Sequence, residues 1–387
     1  MQDLSLEDNV NTFLSSEQDA LLARCRAHVT KHIAPVVGDL DEGKQNFRDV
    51  VAALGQEGFL GSAVAKEYGG QGAPFVNLVL LAEALSEQDP GLALSLAAHA
   101  QVIELLSNFG TDTQKSRYLP LLARGECIGA FALSEETAGS DYAALRSSAA
   151  VSGEKCVLTG EKSWVVNGSI ANVVLVVAKD EASKFSVWIV DMDKADKSKV
   201  EIGSNRKKLG LRSAATNDIS FKGLELAADA ALGTAENAEE AIKAAMDVSK
   251  VIVAAAATGL MNSALAHSVD RARSREQFGG NIGKFQAIQW KLADMSADSS
   301  AAKLLTYRAA WSKDEAPEEF RKNAAMCKFY AAKTARLHSS EAVQIFGSLG
   351  VSDDEPIEKL YRDAKVTEIA EGTSEIQKNI IAKEVGV

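Results

Sequence analysis

One glutamate near the C-terminus stands in a sequence that suits a general base. The segment EIAEGTSEIQ places Glu371 directly before Gly372, whose missing Cβ permits a sharp turn. The Ser374-x-x-Gln377 spacing matches a capping box and predicts a helix that begins near Glu375. Most loop carboxylates are simply solvated, but a carboxylate on a sheltered turn has a raised pKa because it loses hydration. The segment therefore predicts a proton acceptor only if the rest of the chain supplies a reaction.

Other catalytic patterns are missing from the sequence. No GxGxxG motif follows a predicted strand, which argues against a Rossmann nicotinamide site. Neither Gly-Lys pair is followed by the Ser or Thr of a P-loop, and no GxSxG nucleophile elbow occurs. Among the five histidines only His28 and His32 have the i, i+4 spacing of metal ligands, and no partner motif accompanies them. We therefore expect neither a metal site nor a serine triad.

The composition argues against several classes of partner. Hydrophobic residues make up 46% of the 387 residues and charged residues 25%, which is typical of a globular chain with two or three domains. The formal net charge of -11 disfavours nucleic acid and anionic membranes. The acidic N-terminus shows no export signal. The cysteines lack a CxxC motif, which indicates reduced thiols in a cytoplasmic protein: Cys25, Cys127, Cys156 and Cys327.

The chain changes character twice. Apolar residues recur with a helical period over about residues 16–124, where Thr111 or Thr113 is the expected N-cap of one helix. Over about residues 127–226, short β-rich runs alternate with Gly, Asn and Asp, and an Asn-Gly pair marks a turn. Helical patterns return from about residue 234. The most apolar run there starts at Val248, and we interpret it as a core helix rather than a membrane span.

These patterns predict an α+β fold with three domains. An N-terminal all-α domain should span residues 1–125, and a central antiparallel β-barrel or sandwich should span residues 126–233. A C-terminal four-helix bundle should occupy residues 234–387. We expect a short last helix after Ser374 and four long helices before it, at 235–275, 284–313, 317–346 and 356–366.

Four sequence blocks resemble the acyl-CoA dehydrogenase family, of short, medium or branched-chain type. The first is FALSEETAGSD from Phe131, and the second is KSWVVNGSIANVVLV from Lys162. The third is RSREQFGGNIGKFQAIQWKLADM from Arg273, and the fourth is QIFGSLGVSDDEPIEKLYRDAKVTEIAEGTSEIQ from Gln344. The blocks occur in the order of the family over nearly the whole chain, so the resemblance is specific.

The resemblance implies a reaction for the glutamate. FAD binds noncovalently between the β domain and the helical bundle in this family. A glutamate removes the α-proton of an acyl-CoA thioester, the β-hydrogen leaves as hydride to the flavin, and a trans-2-enoyl-CoA forms. Electrons then pass to an electron-transferring flavoprotein. Such a base needs a raised pKa and donors to the developing enolate oxygen, and the base's own backbone N–H is one such donor in the family.

The resemblance also assigns site residues. Glu371 is the catalytic base, and Ser249 occupies the alternative base position of some members, where a serine cannot act as the base. Ser140, Asp247, Lys250 and Gly372 belong to the expected substrate-binding set. The expected FAD-binding set is Phe131, Leu133, Ser134, Trp164, Val166, Arg275, Gln277, Phe278, Gln286, Gln344, Ser348, Thr373 and Glu375. In the family several of these residues reach across from a neighbouring subunit, which implies a homotetramer built as a dimer of dimers.

Four positions depart from the family pattern. Val166 replaces a hydroxyl residue that bonds the flavin, and Lys250 replaces an arginine, which loses the planar fork of donors. Ser348 replaces a glycine and is expected to crowd the adenosine side of FAD. Ala370 replaces the aromatic residue before the base, so we expect room for a branched or bulky acyl group.

Two alternative functions remain open from the sequence. The first is an acyl-CoA oxidase that gives its electrons to oxygen, which Val166 permits. The second is a relative that keeps FAD and the fold but acts as a binding or protective protein, for example one associated with DNA. The acidic charge and the retained Glu371 argue against this second alternative.

Overall fold

The computed structural model describes residues 13–387, in which two helical regions flank a β region. The expectation that the N-terminus carries no export signal falls on residues 1–12, which lie outside the described residues. The described helices are α1 Ser16–His32, α2 Val37–Asp41, α3 Phe47–Gln56, α4 Val76–Ser86, α5 Pro90–Phe109, α6 Asp112–Ala123, α7 Ala238–Ser274, α8 Gln286–Glu315, α9 Pro317–Phe346, α10 Ile357–Thr367 and α11 Ser374–Glu384. The described strands are β1 Gly129–Ala132, β2 Ser148–Ser152, β3 Lys155–Val166, β4 Val173–Lys179, β5 Phe185–Asp191, β6 Val200–Ile202, β7 Thr216–Ala227, β8 Ala231–Leu232, β9 Glu276–Gln277 and β10 Gly280–Asn281.

The core of the helical part is formed by α5 and α7. Both helices are long and apolar enough to cross a membrane, but 78% of an apolar 18-residue segment of α5 and 89% of such a segment of α7 are buried inside the protein. The interpretation of the run from Val248 as a core helix fits this burial. Asp89 begins α5 as its N-cap, accepting a hydrogen bond from the backbone N–H of Leu92, and Pro90 occupies the first turn, where no N–H partner is needed.

The start of α6 resolves one of the sequence alternatives. Thr111, not Thr113, is the N-cap, because its side chain accepts from the backbone N–H of Gln114. The Gln114 side chain in turn accepts from the backbone N–H of Thr111, which completes a capping box.

The β region is one eight-stranded sheet with the strand order β6-β7-β3-β2-β4-β5-β8, and β1 pairs with β4 beside this path. Most neighbours are antiparallel as expected, but β1 runs parallel to β4 and a single pair of β2 and β4 is also parallel. The register between β3 and β7 shifts between Lys162 and Val165, which is a β-bulge or irregularity. Such a bulge redirects the side chains next to it.

The predicted helical–β–helical layout is confirmed. The expected helix at 317–346 matches α9, whereas α7, α8 and α10 begin or end one to three residues from the expected limits. The domain limits at 125 and 233 remain a prediction. The predicted Ser374 cap is wrong: Thr373 is the N-cap of α11, accepting from the backbone N–H of Ile376, and the buried Ser374 hydroxyl has no partner in the described residues.

Candidate active site

A cleft of about 500 Å³ lies where α5, the sheet and the C-terminal helices meet. Its size is in the range of small-molecule and cofactor sites. The residues that line it include Leu94, Gln101, Phe131, Leu133, Ser134, Glu135, Ser140, Trp164, Val166, Met246, Lys250, Arg321, Ala370, Glu371, Gly372 and Thr373. The structure therefore brings the predicted base together with most of the predicted β-domain residues.

Glu371 lies on the turn between α10 and α11 in a backbone conformation that residues other than glycine rarely adopt. Its φ is 56°, in the left-handed region, which costs a non-glycine residue free energy. Lys328 of α9 donates to the backbone oxygens of Glu368, at 3.1 Å, and of Gly372, at 2.6 Å. Gln377 also donates to the Gly372 oxygen, at 2.9 Å. These side chains fix the turn on both sides of Glu371.

The carboxylate of Glu371 is held from two other helices. Gln101 of α5 donates its amide to Oε2 at 2.9 Å, and Ser249 of α7 donates its hydroxyl to the same oxygen at 2.6 Å. Burial raises the pKa of Glu371, while Ser249, Lys328 and Gln101 oppose the rise. Burial also lowers the pKa of Lys328 to about 7, so the lysine is only partly charged at neutral pH. The result is a carboxyl group with a raised pKa, as a general base requires.

The sequence prediction missed the three side chains that position the base. Gln101 lies in a helix whose other residues are nearly all buried and apolar, and an isolated amide there was the available signal. Ser249 was considered only as a substitute for a glutamate. Nothing in the local sequence of Lys328 indicates that it reaches a turn 40 residues later in the chain.

The opposite wall of the cleft comes from the β region. Trp164 has a φ of 60° beside the bulge in β3, and 53% of the residue is exposed. The backbone N–H of Trp164 donates to Asp218 at 3.1 Å, and the guanidinium of Arg206 lies 4.5 Å from the indole ring centroid. Phe131, Leu133 and Val166 extend the apolar wall. A half-exposed indole and apolar neighbours are the surroundings that a flavin ring fits.

A buried ion pair supports this wall. Lys162 Nζ lies 2.7 Å from Glu135 Oε1, and both side chains are almost completely buried. Glu135 also accepts from the backbone N–H groups of Arg146 and Ser147 and from the Ser147 hydroxyl. Burial raises the pKa of Glu135, but these hydrogen bonds outweigh it and lower the pKa to about 2. Burial lowers the pKa of Lys162 to about 8 against the opposing charge of Glu135.

The predicted substrate-binding residues lie at the cleft or directly behind it. Ser140, Lys250 and Gly372 line the cleft. Asp247 does not, but it forms a buried ion pair with Lys250 at 2.5 Å and lies 3.7 Å from Arg321. Lys250 therefore presents a positive charge to the cleft while its partner holds it in place.

All but one of the remaining predicted cofactor residues lie outside this cleft. Thr373 lines it, but seven others are exposed on the surface of the described chain: Arg275, Gln277, Phe278, Gln286, Gln344, Ser348 and Glu375. Phe278 is 89% exposed at a φ of 53° in the turn between β9 and β10. The exposure of Ser348 means that it crowds nothing within the described chain. The roles of these residues toward FAD remain predictions.

No group of three or more potential metal ligands occurs among residues 13–387. His28 and His32 contact each other with ring centroids 4.6 Å apart, and His28 packs edge-on against Phe59. Burial raises the pKa of Cys25 and of Cys327 to about 12, so neither thiol is a nucleophile at neutral pH.

Comparisons with known proteins identify the family. Sequence profiles of the acyl-CoA dehydrogenase N-terminal, middle and C-terminal domains match residues 15–126, 130–224 and 240–386. The short-chain specific acyl-CoA dehydrogenase of Clostridium acetobutylicum is 32% identical over 377 residues, which cover 96% of this chain and 98% of that protein. The mitochondrial short/branched chain specific acyl-CoA dehydrogenase of Rattus norvegicus is 34% identical, with 96% and 86% covered.

A solved structure agrees with the sequence comparisons. Butyryl-CoA dehydrogenase from Megasphaera elsdenii matches with a TM-score of 0.92 and 30% identity, covering 96% of this chain and 98% of that one. The chain belongs to the acyl-CoA dehydrogenase family, and it is an FAD-dependent oxidoreductase.

Proposed function

We propose that this protein dehydrogenates a short or branched acyl-CoA to the trans-2-enoyl-CoA, with Glu371 as the base. The observation that carries the proposal is the setting of that carboxylate. It is desolvated, it accepts hydrogen bonds from side chains of two helices, and it lines the same cleft as the exposed indole of Trp164. A raised pKa in a cleft is the signature of a functional acid or base.

The chain supplies the groups that proton abstraction needs. Glu371 takes the α-proton, which its ionised form accepts. The backbone N–H of Glu371 donates no hydrogen bond within the described residues, which leaves it available to the thioester oxygen as charge develops there. Bound FAD would supply the acceptor for the hydride from the β-carbon. Trp164, Phe131, Leu133 and Ser134 would hold the flavin ring.

The acyl specificity follows from Ala370. This small side chain lines the cleft beside the base and packs near Leu94 and Val166. A short side chain there leaves space for a branch on the acyl group. We expect Ala370→Tyr to lower kcat/KM for branched acyl-CoAs relative to straight ones by roughly tenfold. A substrate panel measures this ratio, and a straight-chain preference that tyrosine leaves unchanged argues against the assignment.

The electron acceptor is the electron-transferring flavoprotein that the family resemblance implies, rather than oxygen. Val166 cannot make the side-chain hydrogen bond to the flavin that a hydroxyl residue makes in the family, so the oxidase alternative needs a test. Rapid oxygen consumption by the enzyme and acyl-CoA without the flavoprotein would decide for the oxidase. An acyl-CoA that fails to bleach the bound flavin without oxygen would decide for a binding protein.

The assembly is a homotetramer in the cytoplasm. The surface position of Phe278, together with Arg275 and Gln277, supports this proposal, because such an exposed aromatic beside predicted cofactor residues suits contact with a second subunit. Light scattering of the purified holoenzyme measures the mass. A monomer that still retains FAD would contradict both the assembly and the role of these residues.

The decisive experiment replaces the base. Glu371→Gln keeps the shape and removes the proton acceptor, so anaerobic flavin reduction by a short acyl-CoA should slow by a factor on the order of 10⁴ or more. FAD content and acyl-CoA binding, measured on the same variant, serve as controls. Reduction at the parental rate would refute the proposal.

A further inference from the structure

The two oxygens of the Glu371 carboxylate have different surroundings. Oε2 accepts both the Gln101 amide and the Ser249 hydroxyl. No hydrogen bond reaches Oε1 from residues 13–387. The two donors come from α5 and α7, which pack against each other in the core, so their separation is set by the packing of these two helices and not by the turn that carries Glu371. The carboxylate is thus anchored through one oxygen and open at the other.

This asymmetry has a chemical consequence. An oxygen that already accepts two hydrogen bonds is the weaker proton acceptor, because both donors stabilise the negative charge on it. The open oxygen is free to approach a carbon acid. On the premise of the proposed function, we propose that Gln101 and Ser249 are positioning residues that anchor Oε2 of Glu371, so that Oε1 takes the α-proton of the acyl-CoA.

Ser249 also fits the protonated state of the base. Its hydroxyl oxygen lies 2.6 Å from Glu371 Oε2 and 3.0 Å from the backbone oxygen of Met246. A hydroxyl carries one proton and can donate to only one of these acceptors at a time. It donates to the carboxylate while Glu371 is ionised and can rotate toward Met246 once Glu371 is neutral. Gln101 keeps donating to Oε2 in both states, so the side chain stays in place through the proton transfer.

Charged groups on α7 and α9 also face Glu371. Lys328 of α9 and Lys250 of α7 favour its ionised form through space. Lys250 is paired with Asp247, and Lys328 interacts with Glu368 and Glu375 as well as Glu371. Within the described residues neither lysine forms a salt bridge with Glu371 itself. The direct contacts of the carboxylate are therefore the two neutral donors, and these can be removed without removing a charge.

Two variants on different helices test the anchoring. Gln101→Leu and Ser249→Ala each remove one donor to the ionised carboxylate, so each should raise the pKa of Glu371. Gln101→Glu places a second negative charge there and should raise it further. Ser86→Ala is the matched control, because Ser86 is a buried helix serine that donates only to its own helix at Ala82.

Infrared titration of the holoenzyme gives a readout that does not depend on turnover. The carboxyl stretch of protonated Glu371 is identified by its loss in Glu371→Gln. We expect this band to persist to higher pH in the Leu and Ala variants than in the parent or in Ser86→Ala.

The pH profile of kcat/KM gives the second readout. The ionised base is the active form, so its acid limb should move to higher pH. The rate should fall roughly tenfold at the acid end and change less than about threefold on the alkaline plateau.

The outcomes separate this inference from the proposed function. A parent enzyme that oxidises acyl-CoA, with infrared titrations unmoved in both variants, overturns the anchoring and leaves the function intact. A loss of rate by the same factor at every pH, with the infrared band unmoved, also overturns it, since that is the effect of a merely structural role. A parent that oxidises no acyl-CoA refutes the proposed function, whereas the infrared shift still decides whether the two donors hold the carboxylate.

Discussion

Two buried glutamates line the same cleft and have opposite pKa shifts. Glu135, on the β wall, has its pKa lowered to about 2. Glu371, on the helical wall, has its pKa raised. Burial raises the pKa of both carboxyl groups. Glu135 accepts three further hydrogen bonds and touches the ammonium group of Lys162, whereas Glu371 accepts two hydrogen bonds from neutral groups and meets its lysines only at a distance.

The difference shows what separates a structural carboxylate from a reactive one. A fully paired carboxylate with a pKa of about 2 stays ionised at neutral pH, and Glu135 therefore serves to support the wall that carries Trp164. A carboxylate with one open oxygen and no direct cation can change its protonation state during a reaction. The number and charge of the donors decides the role, not the residue type or the cleft.

The largest expected effect comes from breaking the pair on the β wall. Lys162→Met leaves Glu135 buried without its cation and should destabilise the protein by about 3–5 kcal/mol. Chemical denaturation of the holoenzyme measures the loss. Lys155→Met is the control on the same strand, because its ion pair with Glu225 is exposed to solvent and should contribute little to stability. Equal losses of stability for the two lysine variants would contradict the claim that the buried ion pair of Glu135 stabilises the β wall more than an exposed pair does.

The next effect falls on catalysis at the helical wall. Lys328→Met removes the donor to the backbone oxygens on both sides of Glu371, so the Glu371 carboxylate should move from its position in the cleft. We expect kcat to fall roughly a hundredfold while FAD content stays unchanged. Lys333→Met on the exposed side of the same helix is the control. A stability loss without a loss of kcat would mean that Lys328 only packs the core.

The smallest effect is the opposite dependence of stability on pH at the two glutamates. Glu135 has a lowered pKa, so its contribution is complete above its ordinary pKa of 4.5 and is lost as the pH falls toward about 2. Glu371 has a raised pKa, so its ionisation destabilises the fold increasingly as the pH rises above its ordinary value of 4.5.

Comparing two glutamine variants with the parent isolates these dependences. Glu135→Gln should be less stable than the parent at neutral pH, with the gap closing in acid. The free energy of unfolding of Glu371→Gln should increase relative to that of the parent as the pH rises, by less than about 2 kcal/mol. Unfolding midpoints of the holoenzyme across about pH 3 to about pH 8 measure both gaps. Gaps that run in parallel would contradict the assignment of opposite shifts.

The sequence predicted the helical–β–helical layout, which is confirmed, and it proposed Glu371 as the base, which stays a prediction; it did not indicate which side chains hold Glu371. Helical and strand patterns are local, so α9 and the β-rich segment follow from periodicity. Gln101 contacts a residue 270 positions away, and Ser249 contacts one 122 positions away. No local pattern encodes such contacts. The parallel pairing of β1 with β4 is likewise a tertiary feature that turn signals between neighbouring strands do not indicate.

The cap of α11 illustrates the limit at one residue. A Ser-x-x-Gln spacing satisfied the capping rule, yet the chain starts the helix from Thr373. Gln377 instead donates to the backbone oxygens of Glu371 and Gly372. The Gln377 side chain, which the sequence rule assigns to the helix end, bonds the turn before it instead, because the carbonyl groups of that turn need partners.

The left-handed backbone of Glu371 sets stability against activity at this one position. Glycine adopts a φ of 56° without the clash that a Cβ creates, so a glycine at 371 would relax the turn. The same replacement deletes the only atoms proposed to receive a proton. A substitution that relaxes this turn therefore removes the proposed proton acceptor, so the strained backbone and the proposed activity come as a pair.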